Sequence, residues 1–365
     1  MNTASPIPIL SLKETKEASV LRRHRWVFSG ALKSIAVQPA TGQWVWLENS
    51  KHNILGSGFY GRGSIAIRLV GFDKILPEVS VFADLFKNAS AYRRQLSSLQ
   101  TQDCTAVRRF HGEGDGIPGL ILDSYQNHFV LQGHHEGIDR YLDVIIEAIQ
   151  QVYAPDTLYY QPVWQGQEAQ NRFLWGNTES CIVQEYGIQM EDNWCSGQKT
   201  GTFIDQREHR KLAARLAQGK QVLNAYAYSG GFSLACLKGG AKHVTSLDIS
   251  SGAMQLLENN LKLNGIEEQK HTGITTDVPP WLRQQEQDFD LVILDPPAFA
   301  KKRNSRHQAI QAYRRLNALG FKRVKSGGFL MTFSCSGVVD EGMFRQAVFA
   351  GALDGWDSSD FALTC

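Results

Sequence analysis

Hydrophobic and polar positions change their pattern twice along the chain. From about Ile9 to Gly71, short β-like runs such as Gln43-Trp44-Val45-Trp46-Leu47 and Ser64-Ile65-Ala66-Ile67-Arg68-Leu69 alternate with glycine turns, which predicts a small barrel. The next stretch opens with a helical pattern from Val81 to Leu99, which includes Arg93-Arg94. Strands around Gly119 to Asp123 and Phe129 to Gln132, an amphipathic run from Ile138 to Val152 and a strand at Leu158-Tyr159-Tyr160 follow, an α+β order. The glycine-rich His111 to Gly116 segment reads as turn chemistry entering a hairpin.

From Gln206 onward strands alternate with helices. Gln221 to Tyr226, His243 to Asp248, the apolar Phe289 to Asp295 and Gly328 to Phe333 read as strands. Gly231 to Lys238, Ser251 to Asn264 and Ile310 to Val324 read as the helices between them. Alternation of this kind predicts a doubly wound, Rossmann-like α/β domain. The expected division is a barrel over residues 1–73, a central α+β domain over 74–192 and the α/β domain over 193–365.

Composition agrees with a folded chain of two or three domains: 365 residues, 42% hydrophobic and 20% charged. No run of 18 apolar residues exists and the N-terminus lacks a basic flank before an apolar core, so the expectation is a cytoplasmic protein without a membrane partner. The six cysteines show no C-x-x-C pair and no metal-ligand spacing, so no metal is expected and reduced thiols are.

In doubly wound sheets a ligand lies beyond the carboxyl ends of the strands. There the chain places Tyr226, then the turn Ser229-Gly230-Gly231, then Asp248 (19 residues after Ser229), Asp277 and Asp295. A dinucleotide enzyme also uses a glycine turn and a ribose carboxylate, but this turn is not G-x-G-x-x-G. S-adenosylmethionine, which carries no phosphate, is the better match.

Asn224 to Phe232, Asp295-Pro296-Pro297-Ala298-Phe299 and Thr332-Phe333-Ser334-Cys335-Ser336 together resemble the signature blocks of class I methyltransferases that modify carbon 5 of cytosine in 23S ribosomal RNA. Gly197 to Arg207 is similar to the block that helps enclose the methyl donor in that family, which implies cofactor roles for Thr202, Asp205, Gln206 and Arg207. Leu21 to Gly30 resembles the start of the family's N-terminal PUA RNA-binding module, and Gly112 to Leu120 its central domain. The resemblance spans about residues 9 to 350. It implies S-adenosylmethionine as cofactor and ribosomal RNA as partner; whether the chain forms a homodimer is left open by the sequence. Where the family commonly has Lys, this chain has Ala298, and no second cysteine adjoins the Pro-Pro block.

The chemistry gives Cys335 a task. Carbon 5 of cytosine is a poor nucleophile, and thiolate addition to carbon 6 makes it enamine-like and able to take a methyl group. Asp295, at the neighbouring strand end, is suited to hydrogen-bond the ring. The base for the final proton is not identified from the sequence. Formal net charge is only +2, yet nine of the 38 Lys and Arg residues fall between Phe299 and Lys325 with no Asp or Glu among them. Lys301, Lys302 and Arg303 beside Asp295, and Arg22, Arg23 and Arg25 beside Trp26, are the expected RNA contacts, with Trp26 itself read as core.

Two alternatives stay open: methylation of another RNA base or atom, and a catalytically silent RNA-binding or assembly factor. The segment Gly355 to Cys365 does not align with the two closing strands of the resembled family, which raises the expectation of an exposed sheet edge.

Overall fold

The computed structural model describes residues 6–34, 38–96, 104–164, 170–195, 201, 203–300 and 302–355. The chain divides into two compact units. One comprises residues 1–184 and 192–204, the other 185–191 and 205–365.

The first unit contains two five-stranded sheets. In the N-terminal sheet, β1 (Ile9–Ser11), β2 (Trp26–Phe28), β3 (Trp44–Glu48), β4 (Ile54–Tyr60) and β5 (Ile65–Gly71) take the order β1-β3-β4-β5-β2 around a core that includes Leu12, Val27, Val45, Leu47, Ile67 and Leu69. Trp26 is only half-buried, and its indole N–H donates to Glu113 Oε1 at 2.7 Å. The apolar neighbours Val27 and Phe28 suggested core for Trp26, but a strand alternates faces: Val27 is buried, and Trp26 and Phe28 on either side of it are not.

Helix α1 (Val79–Gln95) leads into the second sheet of β6 (Ala106–His111), β7 (Leu120–Tyr125), β8 (His128–Gly133), β9 (Thr157–Pro162) and β10 (Arg172–Trp175), with α2 (Leu142–Tyr153) crossing between β8 and the parallel β9. Phe82 and Phe86 of α1 and Ile145 and Ile149 of α2 are fully buried against Phe110, Leu122 and Leu131 of the sheet. One helical turn, Gly112–Asp115, sits in the glycine-rich segment, and the Asp115 carboxylate accepts from Arg93 at 3.1 and 2.6 Å and from the His111 N–H at 2.6 Å. The segment is therefore turn chemistry locked by an ion pair.

A hairpin of β11 (Ser180–Glu185) and β12 (Ile188–Asn193) carries the chain onward. The second unit then runs α3 (Arg207–Leu216), β13 (Gln221–Ala225), α4 (Gly231–Lys238), β14 (His243–Asp248), α5 (Ser251–Leu263), β15 (His271–Thr275), α6 (Val278–Gln284), β16 (Phe289–Leu294), α7 (Arg306–Phe321), β17 (Val324–Thr332) and α8 (Glu341–Gly355). The sheet is all parallel, in the order β15-β14-β13-β16-β17, so the direction of winding reverses between β13 and β16. Val222, Leu223, Val292, Ile293 and Leu294 are wholly buried, as central strands with helices on both faces require. Among the described residues β17 is an edge strand; residues 356–365, on which the unaligned tail falls, lie outside them.

Two histidines, the buried His135 and the half-buried His271, make stability depend on pH. His135 hydrogen-bonds the Pro118 carbonyl through Nε2 at 2.8 Å and accepts the Gly137 N–H on Nδ1 at 3.0 Å, so the neutral ring is fully satisfied and a second proton would face a donor. Burial first, then the charge of Arg68, depresses its pKa to about 3; burial, then His243, takes His271 to about 4. Because the unfolded chain binds these protons from about pH 6.5 downward, stability is full above that pH and is lost progressively below it. The urea-unfolding midpoint should fall between pH 7 and pH 5; a flat profile over that window would contradict the assignment.

Candidate active site

The glycine turn after β13 is built by three left-handed residues, Tyr226 (φ 65°), Tyr228 (φ 49°) and Gly230 (φ 86°). Two of them are not glycine, which costs about 1 kcal/mol or more each and requires the surroundings to hold the loop. The surroundings do so. Asp248, at the end of β14, accepts the Tyr228 N–H on Oδ2 and the Ser250 N–H on Oδ1, both at 2.9 Å. Asn260 of α5 donates to the Ser229 carbonyl at 3.1 Å and accepts the Glu191 N–H at 2.8 Å. At Gly230 a Cβ would lie 2.6 Å from Leu257 Cγ, so the residue is confined to glycine by space as well as by φ.

Beside this turn, the half-buried Tyr226 has its phenol raised above the ordinary value by burial and then by the charges of Asp277 and Asp248. Three side chains from three successive strand ends thus converge. Asp277 precedes the first residue of α6 and is exposed.

The other half of the site lies where β16 and β17 end together. Leu294 pairs with Thr332, and the Phe333 N–H continues the ladder to the Leu294 carbonyl at 3.0 Å. Asp295 and the Ser334-Cys335-Ser336 turn therefore leave the sheet side by side. Ser336 is buried and donates to the Ala300 carbonyl at 2.6 Å while receiving the Ala300 N–H at 3.3 Å, which ties the turn to the loop after Pro296-Pro297.

Cys335 is exposed, whereas Cys104 and Cys236 are buried and Cys181 and Cys195 are partly covered. Burial pushes the Cys181 and Cys236 thiols up to about 12, far from the thiolate form that attacks carbon electrophiles. Tyr313 on α7, wholly buried, lies beside the turn: burial raises its phenol, the Ser334 hydroxyl lowers it and the nearby Cys335 charge raises it.

Around Gln206, which the sequence did single out, stand three residues to which it gave no role: His209, Phe232 and Phe333. Gln206 donates to Asp295 Oδ1 at 3.5 Å, and its Oε1 accepts from the Nδ1–H of His209 at 2.7 Å. The His209 ring packs on Phe333 at 4.9 Å, and Phe333 on Phe232 at 5.5 Å. Phe232 and Phe333 carry a sequence signal only as members of motif blocks, and His209 carries none.

Other expected residues are placed elsewhere. Arg207 is 4% exposed and pairs with the buried Glu185 at 3.2 Å, next to Arg210, which holds the same carboxylate at 2.7 and 2.6 Å. Burial alone would raise the Glu185 carboxyl, but the two guanidiniums outweigh it and hold it below its ordinary value. Asp205 is exposed in the turn before α3, and Thr202 lies outside the described residues.

Of the expected RNA contacts, Arg22 and Arg23 are exposed, Arg23 with its guanidinium 4.9 Å from the Phe72 ring centre. Arg25 instead donates to the carbonyls of Leu69, Val70 and Gly116 at 2.8 to 3.2 Å. Lys302 and Arg303 are exposed before α7; Lys301 lies outside the described residues. The nine-charge run is partly neutralised, since Arg314 pairs with Asp354, Arg323 with Asp288 and Lys325 with Asp290.

Residues 155–343 match the family model of S-adenosylmethionine-dependent methyltransferases, and residues 10–72 that of a PUA-like domain. Ribosomal RNA large subunit methyltransferase I of Aeromonas hydrophila is 32% identical over 357 residues, covering 94% of this chain and 89% of the relative. The enzyme of the same name from Photobacterium profundum is 33% identical over 356 residues with the same coverage. The chain belongs to this family of S-adenosylmethionine-dependent methyltransferases.

A solved S-adenosylmethionine-dependent methyltransferase from Streptococcus mutans shares the fold, with a TM-score of 0.80 at 22% identity over 94% of this chain and 90% of that one. A second methyltransferase structure, complexed with SAH, superposes with a TM-score of 0.81 at 23% identity over the same shares.

The site fits the family's cofactor. A ribose diol needs a fixed carboxylate acceptor, and Asp248 is fixed by two backbone N–H groups that leave each oxygen a further lone pair. When bound, S-adenosylmethionine supplies an electrophilic sulfonium methyl group, which asks the enzyme for positioning and for a nucleophile on the acceptor.

Proposed function

We propose that this methyltransferase acts on carbon 5 of a cytosine in large-subunit ribosomal RNA, using Cys335 as a transient nucleophile. The observation that carries this reading is the shared exit of β16 and β17, which sets an exposed thiol and the carboxylate of Asp295 on one edge. Both curated relatives named above are called ribosomal RNA large subunit methyltransferases, which supports the substrate class.

In this reading Asp248, with Tyr226, Ser229, Gly230, Gly231 and Asp277, holds the cofactor, and Gln206 keeps Asp295 directed at the site. The Cys335 thiolate forms a bond to carbon 6, and the electron pair of the carbon 5–carbon 6 double bond moves into the ring. A hydrogen bond donated to ring nitrogen 3 by the carboxyl group of Asp295 in its acid form takes up the charge that this flow places on the ring. Carbon 5 then takes the methyl group; a base removes the carbon 5 proton, the double bond reforms and the carbon–sulfur bond breaks, returning the thiolate. Attack at carbon 6 requires an unstacked base, so the substrate is a loop or an opened segment. Arg22, Arg23, Lys302 and Arg303 are exposed and suited to its phosphates.

The direct check is nucleoside mass spectrometry of unmodified large-subunit rRNA after incubation with enzyme and cofactor. The expected product is 5-methylcytidine; a methyl group on another base, or none, would overturn the reading.

A further inference from the structure

The first unit contains a cavity of about 590 Å³ between α1, α2 and the edge strand β6. Its lining includes Lys87, Arg93 and Arg94 from α1 and Arg109 from β6, with no Asp or Glu among the described residues that line it. Ser90 Oγ and Tyr153 Oη, 2.9 Å apart, add two hydroxyls. A volume of this order holds a nucleotide-sized ligand.

The four cations are not equivalent. Lys87 lies 3.3 Å from Asp84, and Arg93 is held in a two-pronged pair by Asp115. Arg109 is half-buried, and its side chain makes one hydrogen bond, from Nε to Ser124 Oγ at 2.8 Å, with no carboxylate partner among the described residues. Arg94 is exposed and likewise has no ion pair among them. A half-buried guanidinium without a counter-charge is costly, and a second cation beside it raises the cost. Consistently, burial lowers the Arg109 pKa, Tyr153 offsets part of that and Arg93 adds a smaller lowering. Arg109 is pinned at Nε, which leaves the outer edge of its fork as donors toward an anion, and phosphate oxygens match that geometry.

We propose that this cavity receives a phosphodiester group of the RNA substrate, with Arg109 and Arg94 gripping its oxygens. The choice of RNA over a free phosphate compound rests on the reading above that the substrate is ribosomal RNA. Two uncompensated cations in a recess large enough for a nucleotide suit a polyanion that threads one residue into it.

The test measures the affinity of the full-length protein for a fluorescein-labelled 30-nucleotide fragment of large-subunit rRNA between 50 and 300 mM KCl. In Arg94→Gln/Arg109→Gln, affinity at low salt should fall about tenfold or more, and the slope of log K against log salt should flatten by about 1 to 2, as expected for the loss of phosphate contacts. S-adenosylmethionine affinity should be unchanged, and Arg109→Lys should recover part of the loss. If the double variant melts early, Arg94→Gln alone, at an exposed position, should still flatten the slope.

Unchanged RNA affinity and slope would overturn the proposal. So would thermal stabilisation of the wild type by millimolar inorganic phosphate, lost in the variant while RNA affinity is kept, since the cavity would then serve a free phosphate. RNA binding that depends on Arg109, in a protein that methylates no cytosine, would support the cavity and sink the catalytic reading instead.

Discussion

Replacing Cys335 with alanine should reduce methyl transfer to rRNA by about 10³-fold or more while leaving the dissociation constant for S-adenosylmethionine within about twofold. The size follows from the acceptor: without addition at carbon 6 there is no enamine, and carbon 5 has no nucleophilic electron pair to offer. The selectivity follows from the proposed cofactor site, the Tyr226–Gly231 turn with Asp248, whereas Cys335 leaves the sheet beyond β17. Alanine at Cys181 or Cys236 should leave turnover nearly unchanged, since burial keeps those thiols protonated. Substantial turnover in Cys335→Ala, measured with tritiated cofactor, would remove the covalent mechanism.

A second large effect is expected at Glu185. Its carboxylate is 3% exposed and balances both Arg207 and Arg210, which are 4% and 5% exposed. Removing the negative charge leaves two buried guanidiniums against a neutral partner, and breaking a buried pair this way costs about 3–5 kcal/mol. Glu185→Gln should therefore lower the stability of the methyltransferase unit by that order in urea unfolding, and by more at Glu185→Ala. The cofactor site should weaken in step, because Arg210 also packs against Gly231, where a Cβ would lie 3.1 Å from its Cδ. Replacing Glu185, Arg207 and Arg210 together by apolar residues of similar volume should recover much of the loss. A change below about 1 kcal/mol for Glu185→Gln would contradict the pairing.

Strand alternation and strand-end chemistry were legible in the sequence because both are local. Val222, Leu223, Ala225 and Leu291 to Leu294 are apolar because they lie under helices on both faces, and the residues that follow them must be small, acidic or nucleophilic to do chemistry at the sheet edge. The same locality explains what was not legible. Arg207 stands in a motif block, but its partner is Glu185, 22 residues upstream on a hairpin. Arg25 stands in a basic cluster, yet it satisfies carbonyls 44 to 91 residues away. Asn260 reads as an ordinary polar helix residue and is wholly buried, bridging Ser229 and Glu191. The basic run after Phe299 looked uncompensated because Asp288, Asp290 and Asp354 lie outside its limits in sequence and beside it in space.

The most direct test of the central claim is covalent trapping. Fluorine at carbon 5 cannot leave as a proton does, so large-subunit rRNA containing 5-fluorocytosine should arrest the reaction after methyl transfer and before release of the thiol. The account predicts a protein–RNA adduct that survives denaturing electrophoresis, requires S-adenosylmethionine and is absent from Cys335→Ala. An adduct of the same yield in Cys335→Ala, or none in a wild-type protein that methylates the normal RNA, would contradict it.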